Sequence, residues 1–391
     1  MPPELEMNNI SSVLDKEQRE TLEDIVIEMR EEVEADLQTK LYETYQIDDK
    51  GNPPEDLDEE ELDLREKIIN AIEREQLDEL SWDEAIKRYR RSVGFTCINR
   101  FCAFRAMEVR DLIDRPVTRF KEGNRTPASD PIIEEEFETP EDAFFLALHR
   151  QGDKIAEEIE LLFDRSGPYS LLEPSFSTAK KLCSLMDQLA DEIWAADDVL
   201  GWVYEYYNVP DLGDVRSRAK DADDVIKGNQ FYTPHWVVRQ LTDNTLGKMF
   251  LEYKGELREA IDYQQENFDP EGRKYRSINP KDSPTVKDLC TYLVPTETEG
   301  EGPDWEDPSE IKVFDPACGS GHFLLYAFDV LERIWWEMRP ETPKDEIPEL
   351  ILENNIYGID LDLRATQLAA FNLWMKAKQR TQEEGGEAFS P

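Results

Sequence analysis

The sequence predicts an α + α/β chain: a helical N-terminal domain, then the first β-α-β-α units of a Rossmann-like fold whose sheet is incomplete. Three observations carry this prediction. Apolar residues recur at helical spacing through about residue 210, with no strand-like alternation. Near the end, an apolar run from Ile311 to Phe314 closes on Asp315-Pro316-Ala317-Cys318-Gly319-Ser320-Gly321 and leads into an apolar helix. A second short strand, Asn355 to Asp362, then ends in acids. The expected boundaries are 1–210 for the helical domain, 211–310 for a linker with helices, and 311–391 for the partial α/β domain.

In chain order, Leu22, Ile25, Met29, Val33, Leu37 and Leu41 mark one face of a helix from Thr21 to about Tyr45. An acidic linker with Gly51, Pro53 and Pro54 precedes a helix over Leu64–Leu77. Ser81-Trp82-Asp83-Glu84 is a capping-box pattern that opens the next helix. That helix carries the densest basic run of the chain: Lys87, Arg88, Arg90, Arg91, Arg100, Arg105 and Arg110, interleaved with aromatics. Two readings are open, a phosphate-contacting face or internal pairing with nearby acids. Glu122–Glu138 reads as loop, and Thr139-Pro140-Glu141-Asp142 opens a helix to about Phe163. Further helices are expected over Ser177–Trp194 and Asp197–Tyr207, with Trp202, Tyr204, Tyr206 and Tyr207 as core. A charged linker, Asp211–Gly228, leads to Gln230-Phe231-Tyr232-Thr233-Pro234, with Thr233 as the N-cap of a helix to about Phe250. After the glycine turn come a helix over Phe323–Trp336, a proline-spaced loop over Pro340–Pro348, the second strand, and a helix over Ala365–Lys376.

Composition bounds the chemistry. Acids number 88 against 45 basic residues, a net charge of −43 spread over the whole chain of 391 residues. Such a surface suits high salt, where self-repulsion is screened, and it implies a salt-loving host. It also means that contact with DNA does not rest on a broad basic surface. No apolar run reaches membrane-spanning length and no export signal opens the chain, so a cytoplasmic location is expected. Five scattered cysteines argue against a disulfide framework, and Cys97 and Cys102 read as small core residues. Three histidines and no Cys-x-x-Cys give a metal site little support.

A strand, a glycine turn and a helix start together make a nucleotide-type binding edge, because glycine lets a backbone approach a ligand closely. The position three beyond Gly321 is Leu324 and not a third glycine, which disfavours NAD, and no lysine stands in the turn to cradle phosphate. Asp360 holds the place where such folds bind a ribose, 39 positions after Gly321. For Asp362, a solvated acid or helix cap is as good a reading.

Asp315-Pro316-Ala317-Cys318-Gly319-Ser320-Gly321-His322-Phe323 resembles the S-adenosylmethionine motif of adenine-specific DNA methyltransferases. Gln230-Phe231-Tyr232-Thr233-Pro234 is similar to their upstream segment, which contacts the methionine end of the cofactor, and Asp360 matches their ribose carboxylate. Phe95–Val109 and Asp197–Tyr207 are similar to the methyltransferases of BREX phage-defence systems and to related methylase-restriction fusions. The resemblance implies methyl transfer from S-adenosylmethionine to the exocyclic amino group of an adenine flipped out of double-stranded DNA. It implies cofactor contacts from Gln230, Phe231, Tyr232, Thr233, Pro234, Asp315, Pro316, Ala317, Gly319, Ser320, Gly321 and Asp360.

Those enzymes also carry an Asn/Asp-Pro-Pro-aromatic motif, expected after Asp360 and not found by Pro391. Asn52-Pro53-Pro54-Glu55 lacks the aromatic and a preceding strand, so no catalytic residue is nominated. The chain is therefore expected to be an N-terminal part or split subunit, inactive alone. Either the gene is interrupted, or a second polypeptide or downstream gene product completes the sheet and brings target recognition, alongside other phage-defence proteins. A non-catalytic cofactor-binding or partner-binding module is the alternative.

Overall fold

The apolar stripe of the first helix is buried along its whole length: Leu22, Met29, Val33, Leu37 and Leu41 are fully covered and Ile25 nearly so. This helix is α1 (Lys16–Thr39), continued by a π turn over Lys40–Thr44. The computed structural model describes residues 13–48, 52–76, 80–136, 138–217, 233–267, 283–296, 300 and 302–386. Contacts divide the chain into two compact units. A helical unit holds Glu20–Ala190 and Val203–Asn229, and a second unit holds Met1–Arg19, Asp191–Trp202 and Gln230–Pro391.

In the helical unit, α2 (Glu59–Glu75) starts five residues before the expected Leu64, because Asp58 and Glu61 cap it reciprocally. The capping box at Ser81 is present in both directions and opens α3 (Trp82–Val109). The expected loop at 122–138 contains a helix, α4 (Asp130–Glu136). Its Ile132 packs with Ala143 and Ala147 of α5 (Pro140–Ala156), a tertiary contact that outweighs the acid-rich local sequence. The expected extension of α5 to Phe163 is a separate turn, α6 (Glu160–Phe163). The single helix expected over 177–194 is two, α7 (Phe176–Met186) here and α8 (Asp191–Trp194) in the second unit. At the end of α7, Asp187 meets the buried guanidinium of Arg105 at 2.8 Å. The next helix, α9 (Val199–Ser217), runs through Pro210, so the start of the expected linker at 211 is helical. Tyr204 and Tyr207 pack edge-on against Phe95, centroids 5.6 and 5.3 Å apart, as core.

The arginines of the α3 basic run are engaged internally, whereas Lys87 is exposed. Arg88 pairs with Glu75, Arg90 with Glu34, and Arg100 donates to the carbonyls of Leu162 and Asp164. Arg105, fully buried, donates to Thr118 and sits beside Glu108 and Asp187. Of the two readings open for these arginines, the structure supports internal pairing. Desolvation requires partners for buried guanidinium groups, and neighbouring elements supply them.

In the second unit, α10 (His235–Thr242) passes through a π turn at Asp243–Gly247 into α11 (Lys248–Lys254). α12 (Leu257–Asn267), which polar composition hid, and the short α13 (Val286–Leu289) follow. β1 (Val313–Asp315), α14 (His322–Met338), α15 (Ile347–Asn354), β2 (Ile356–Gly358) and α16 (Leu363–Glu383) form the α/β part. Part of the expected proline loop is thus the helix α15. Its Pro348 sits in the first turn, where a missing N–H costs nothing.

β1 and β2 pair in parallel, with Val313 beside Ile356, Phe314 beside Tyr357 and Asp315 beside Gly358. Val313 and Ile356 pack on a core that includes Leu324, Phe328, Leu331, Ile347, Ile351 and Leu373. Buried Asn355 ties the strands in place. Its amide donates to Pro308 and Ile311 carbonyls at 2.8 Å, and its oxygen accepts from the Trp335 indole at 3.0 Å.

Candidate functional site

The glycine turn is fastened at both ends. The Asp315 carboxylate accepts from Ala317 N at 3.0 Å, and Cys318 N donates to Ile359 O at 3.0 Å beyond β2. Gly319 and Gly321 have φ of +51° and +90°, the left-handed region that side chains disfavour. A Cβ at Gly321 would lie 3.0 Å from Ala369 Cβ, whereas one at Gly319 would meet nothing within 4 Å. One glycine therefore seats the turn on α16, and the other leaves open space above it.

Gly321→Ala is accordingly expected to cost about 1–3 kcal/mol in urea unfolding, and Gly319→Ala visibly less. Equal losses would contradict this division of roles.

Asp360 reaches into the turn. One carboxylate oxygen accepts from Gly319 N at 2.8 Å and the other from Asp362 N at 2.9 Å. Asp362 is the N-cap of α16, accepting from Arg364 N at 2.9 Å and pairing with its guanidinium. Between the two readings of Asp362, the geometry supports the cap. Ser320 is buried, and its carbonyl accepts from Asn372 at 3.2 Å. Pro316 and Ala317 are exposed. Burial, then Asp360 and Asp315, pushes the Cys318 thiol up to about 11, which leaves it a poor nucleophile.

Thr233 and Pro234 reach the same neighbourhood through α10. Pro234, not Thr233, occupies the N-cap position, and no side chain caps the helix start. Proline supplies the extended backbone of that position, so helical φ and ψ begin at His235. Gln230, Phe231 and Tyr232 lie outside the described residues.

His235 and His322, each the first residue of its helix, meet with centroids 5.8 Å apart, and His235 also meets Tyr326 at 6.0 Å. Tyr326 OH donates to Asp243 at 2.7 Å, whose other oxygen accepts from Tyr292 N at 2.9 Å. By number alone the histidines say only that a metal site has little support. Their shared place, just after Thr-Pro and just after Gly-Ser-Gly, was the available signal. They line a small cavity together with Asp197, Asp198, Asp329 and Lys376, among others. Lys376 Nζ lies 2.8 Å from both Asp197 and Asp329. Asp198 accepts from Leu14 N at 3.1 Å and from the Trp202 indole at 2.8 Å.

Burial, then Lys376, pushes His322 down to about 3 from an ordinary 6.5, and burial leads the lowering of His235 as well. The unfolded chain takes up these protons near pH 6.5 and the folded chain does not. Their contribution to stability is therefore full above pH 6.5 and falls as pH drops towards 3. Asp198, which burial pushes up to about 7, works in the opposite sense, its contribution falling as pH rises from 3.8 through 7. Denaturant midpoints measured from pH 4 to 8 are expected to lose acid sensitivity in His322→Asn and to gain it in Asp198→Asn. Parallel profiles for all three proteins would refute the assignment.

Asn52-Pro53-Pro54-Glu55 lies in the helical unit, just before the cap of α2, with Asn52, Pro53 and Glu55 exposed. Among the described residues, no group of three or more His, Cys, Asp and Glu side chains is arranged to hold a metal, and no helix is long and apolar enough to cross a membrane.

Comparison with known proteins gives this geometry a context. Residues 306–389 match the family model described as MmeI, DNA-methyltransferase domain. The chain is 30% identical over 313 residues to the adenine-specific methyltransferase BrxX of Escherichia coli O9:H4 (strain HS), covering 73% of this chain and 24% of that protein. It is 25% identical over 339 residues to the adenine-specific methyltransferase PglX of Lacticaseibacillus casei (strain Zhang), covering 76% of this chain and 26% of that one. A putative type II restriction enzyme and methyltransferase of Methanocaldococcus jannaschii is 26% identical over 213 residues, covering 52% of this chain and 16% of that protein. The chain thus spans about a quarter of the length of the first two relatives.

Proposed function

We propose that this chain is the donor-binding part of an adenine-specific DNA methyltransferase of the BREX type, acting on double-stranded DNA with other phage-defence proteins. The observation that carries the reading is the glycine turn clasped by Asp360, with open space above Gly319 and the Thr233-Pro234 segment delivered beside it by the His235–His322 contact. S-adenosylmethionine fits this set. Gly319, Gly321 and Ser320 allow close backbone approach. Each Asp360 oxygen, already accepting one amide, keeps a lone pair for a ribose hydroxyl. Thr233, Pro234 and the preceding Gln230, Phe231 and Tyr232 would hold the amino-acid end, and Asp315, Pro316 and Ala317 shape the turn. When bound, the cofactor supplies an electrophilic methyl group.

The chain's own residues bind and orient the donor and do not activate the acceptor. An adenine amino group needs hydrogen-bond acceptors and a stacking aromatic, which the Asn-Pro-Pro-aromatic motif supplies in the methyltransferases that this chain resembles. In this reading that motif and target recognition lie outside residues 1–391. The site is cytoplasmic, and the acidic surface belongs to a halophilic setting.

Titration calorimetry with S-adenosylmethionine in molar KCl is expected to show one binding event. The chain alone is expected to be blank in a DNA methylation assay. Heat with NAD and none with S-adenosylmethionine would overturn the reading.

A further inference from the structure

The helical unit contains a cavity of about 480 Å³, lined from α3, α5, α6 and the segment 172–174. Sites for small molecules fall in the range of roughly 300–1,000 Å³ and are mostly apolar with a few polar groups. This one has that character. Cys97, Phe101, Phe104, Phe163 and Leu172 of its lining are buried, and Phe104 and Phe163 meet edge-on with centroids 4.9 Å apart. Phe145 and Leu148, half-buried on α5, complete the apolar lining. Four phenylalanines favour a flat ring as the guest, because rings meet rings edge-on or offset-stacked.

Gly152 keeps the space open. It lies inside α5 without a positive φ, so the backbone does not require glycine there, and alanine would favour the helix. A Cβ at this position would stand 3.4 Å from Phe163 and 3.8 Å from Phe104, in ordinary contact with the cavity rings. A longer side chain would enter the cavity.

The charged groups of the lining favour an anion. Arg100 donates Nε to Leu162 O at 2.8 Å, and Nη2 to Asp164 O at 2.6 Å and Ser170 Oγ at 2.7 Å. Its Nη1 has no hydrogen-bond partner among the described residues, and it is not sealed from solvent. Arg165 adds a second guanidinium, exposed and paired with Asp153 at 3.2 Å. Glu173, the one acid of the lining, is engaged by His149, whose Nε2 lies 2.5 Å from it. A guanidinium with a spare N–H bonds most strongly to a carboxylate or similar oxyanion.

We propose that this cavity binds a small aromatic carboxylate, with its ring among Phe101, Phe104 and Phe163 and its carboxylate on Arg100 Nη1. Binding here does not involve the glycine turn, whose residues belong to the other unit.

Phenylacetate, phenylacetamide and phenethylamine share a ring and differ in charge. Each is titrated into the full chain in molar KCl and followed by saturation-transfer NMR. Phenylacetate is expected to bind at least about 5-fold more tightly than the amide, with the amine weakest. Gly152→Leu fills the cavity and is expected to weaken phenylacetate at least about 10-fold. Gly152→Ala is expected to keep affinity within about 2-fold and to raise the thermal midpoint. Should Gly152→Leu fail to fold, Leu148→Trp blocks the same space from a half-buried position. Arg100→Gln is expected to erase the preference for acid over amide while amide binding persists. Equal binding of the acid and the amide, saturation transfer from none of the three, or unchanged phenylacetate affinity in a folded cavity-filling variant would each overturn the assignment.

Discussion

Asp360→Ala is expected to weaken S-adenosylmethionine binding by about 100-fold, a loss of about 2.7 kcal/mol. The carboxylate has two tasks in one place. It accepts from Gly319 N and Asp362 N, which holds the turn in its left-handed path, and under the proposed function its remaining lone pairs take a ribose hydroxyl. Alanine removes the shape of the site and the acceptor for a ribose together. Hydrogen bonds to charged groups contribute about 1.5–3 kcal/mol each, so the expected loss is of the right size without any further effect. Two controls separate the tasks. Asp360→Asn keeps one acceptor oxygen and is expected to fall between wild type and alanine. Asp362→Ala removes the cap of α16, at a cost of about 1 kcal/mol in stability, and is expected to leave donor affinity within a few-fold. If Asp362→Ala weakens binding as much as Asp360→Ala, the turn is merely destabilised in both and Asp360 has no separate role.

What was legible in the sequence follows physical range. The capping box at Ser81, the buried stripe from Leu22 to Leu41, the strand–glycine turn–helix at 313–338 and the acid at 360 are local signals, each written within one or two turns of chain. Elements whose reason lies elsewhere were not legible. The helix at 130–136 depends on packing against Ala143 and Ala147, and the break after Met186 coincides with an ion pair to Arg105, some 80 residues away in sequence. The arginines of α3 looked alike as letters. Their partners at residues 34, 75, 118 and 162–164 are what distinguish internal pairing from a binding face. Of the site itself, the glycine turn and Asp360 were readable, and their mutual hydrogen bond is what the structure adds. The meeting of His235 with His322 needed the fold, because 87 residues separate two histidines that share only a helix start.

Lys376→Ala is expected to destabilise the chain by about 3–5 kcal/mol, the usual cost of removing one partner from a buried ionic group. Lys376 is 4% exposed and its ammonium lies 2.8 Å from both Asp329, 1% exposed, and Asp197. Without it, Asp329 keeps longer contacts to Arg380 at 3.5 Å and to Arg333 at 4.0 Å. Lys376→Met preserves much of the aliphatic packing and not the charge, so it is expected to recover little of the loss. Lys376→Met with Asp329→Leu removes both members of the more deeply buried pair and is expected to be more stable than Lys376→Met alone, by the non-additivity that a double-mutant cycle measures. The same charge is the second cause, after burial, of the depressed His322 titration. Its removal is therefore expected to move the His322 proton uptake upward, visible in the imidazole resonances. The acid loss of stability then narrows, because the folded and unfolded proton affinities come closer together. Additive substitutions together with an unmoved His322 would show that Lys376, Asp329 and the histidine beside the glycine turn are neighbours without being coupled.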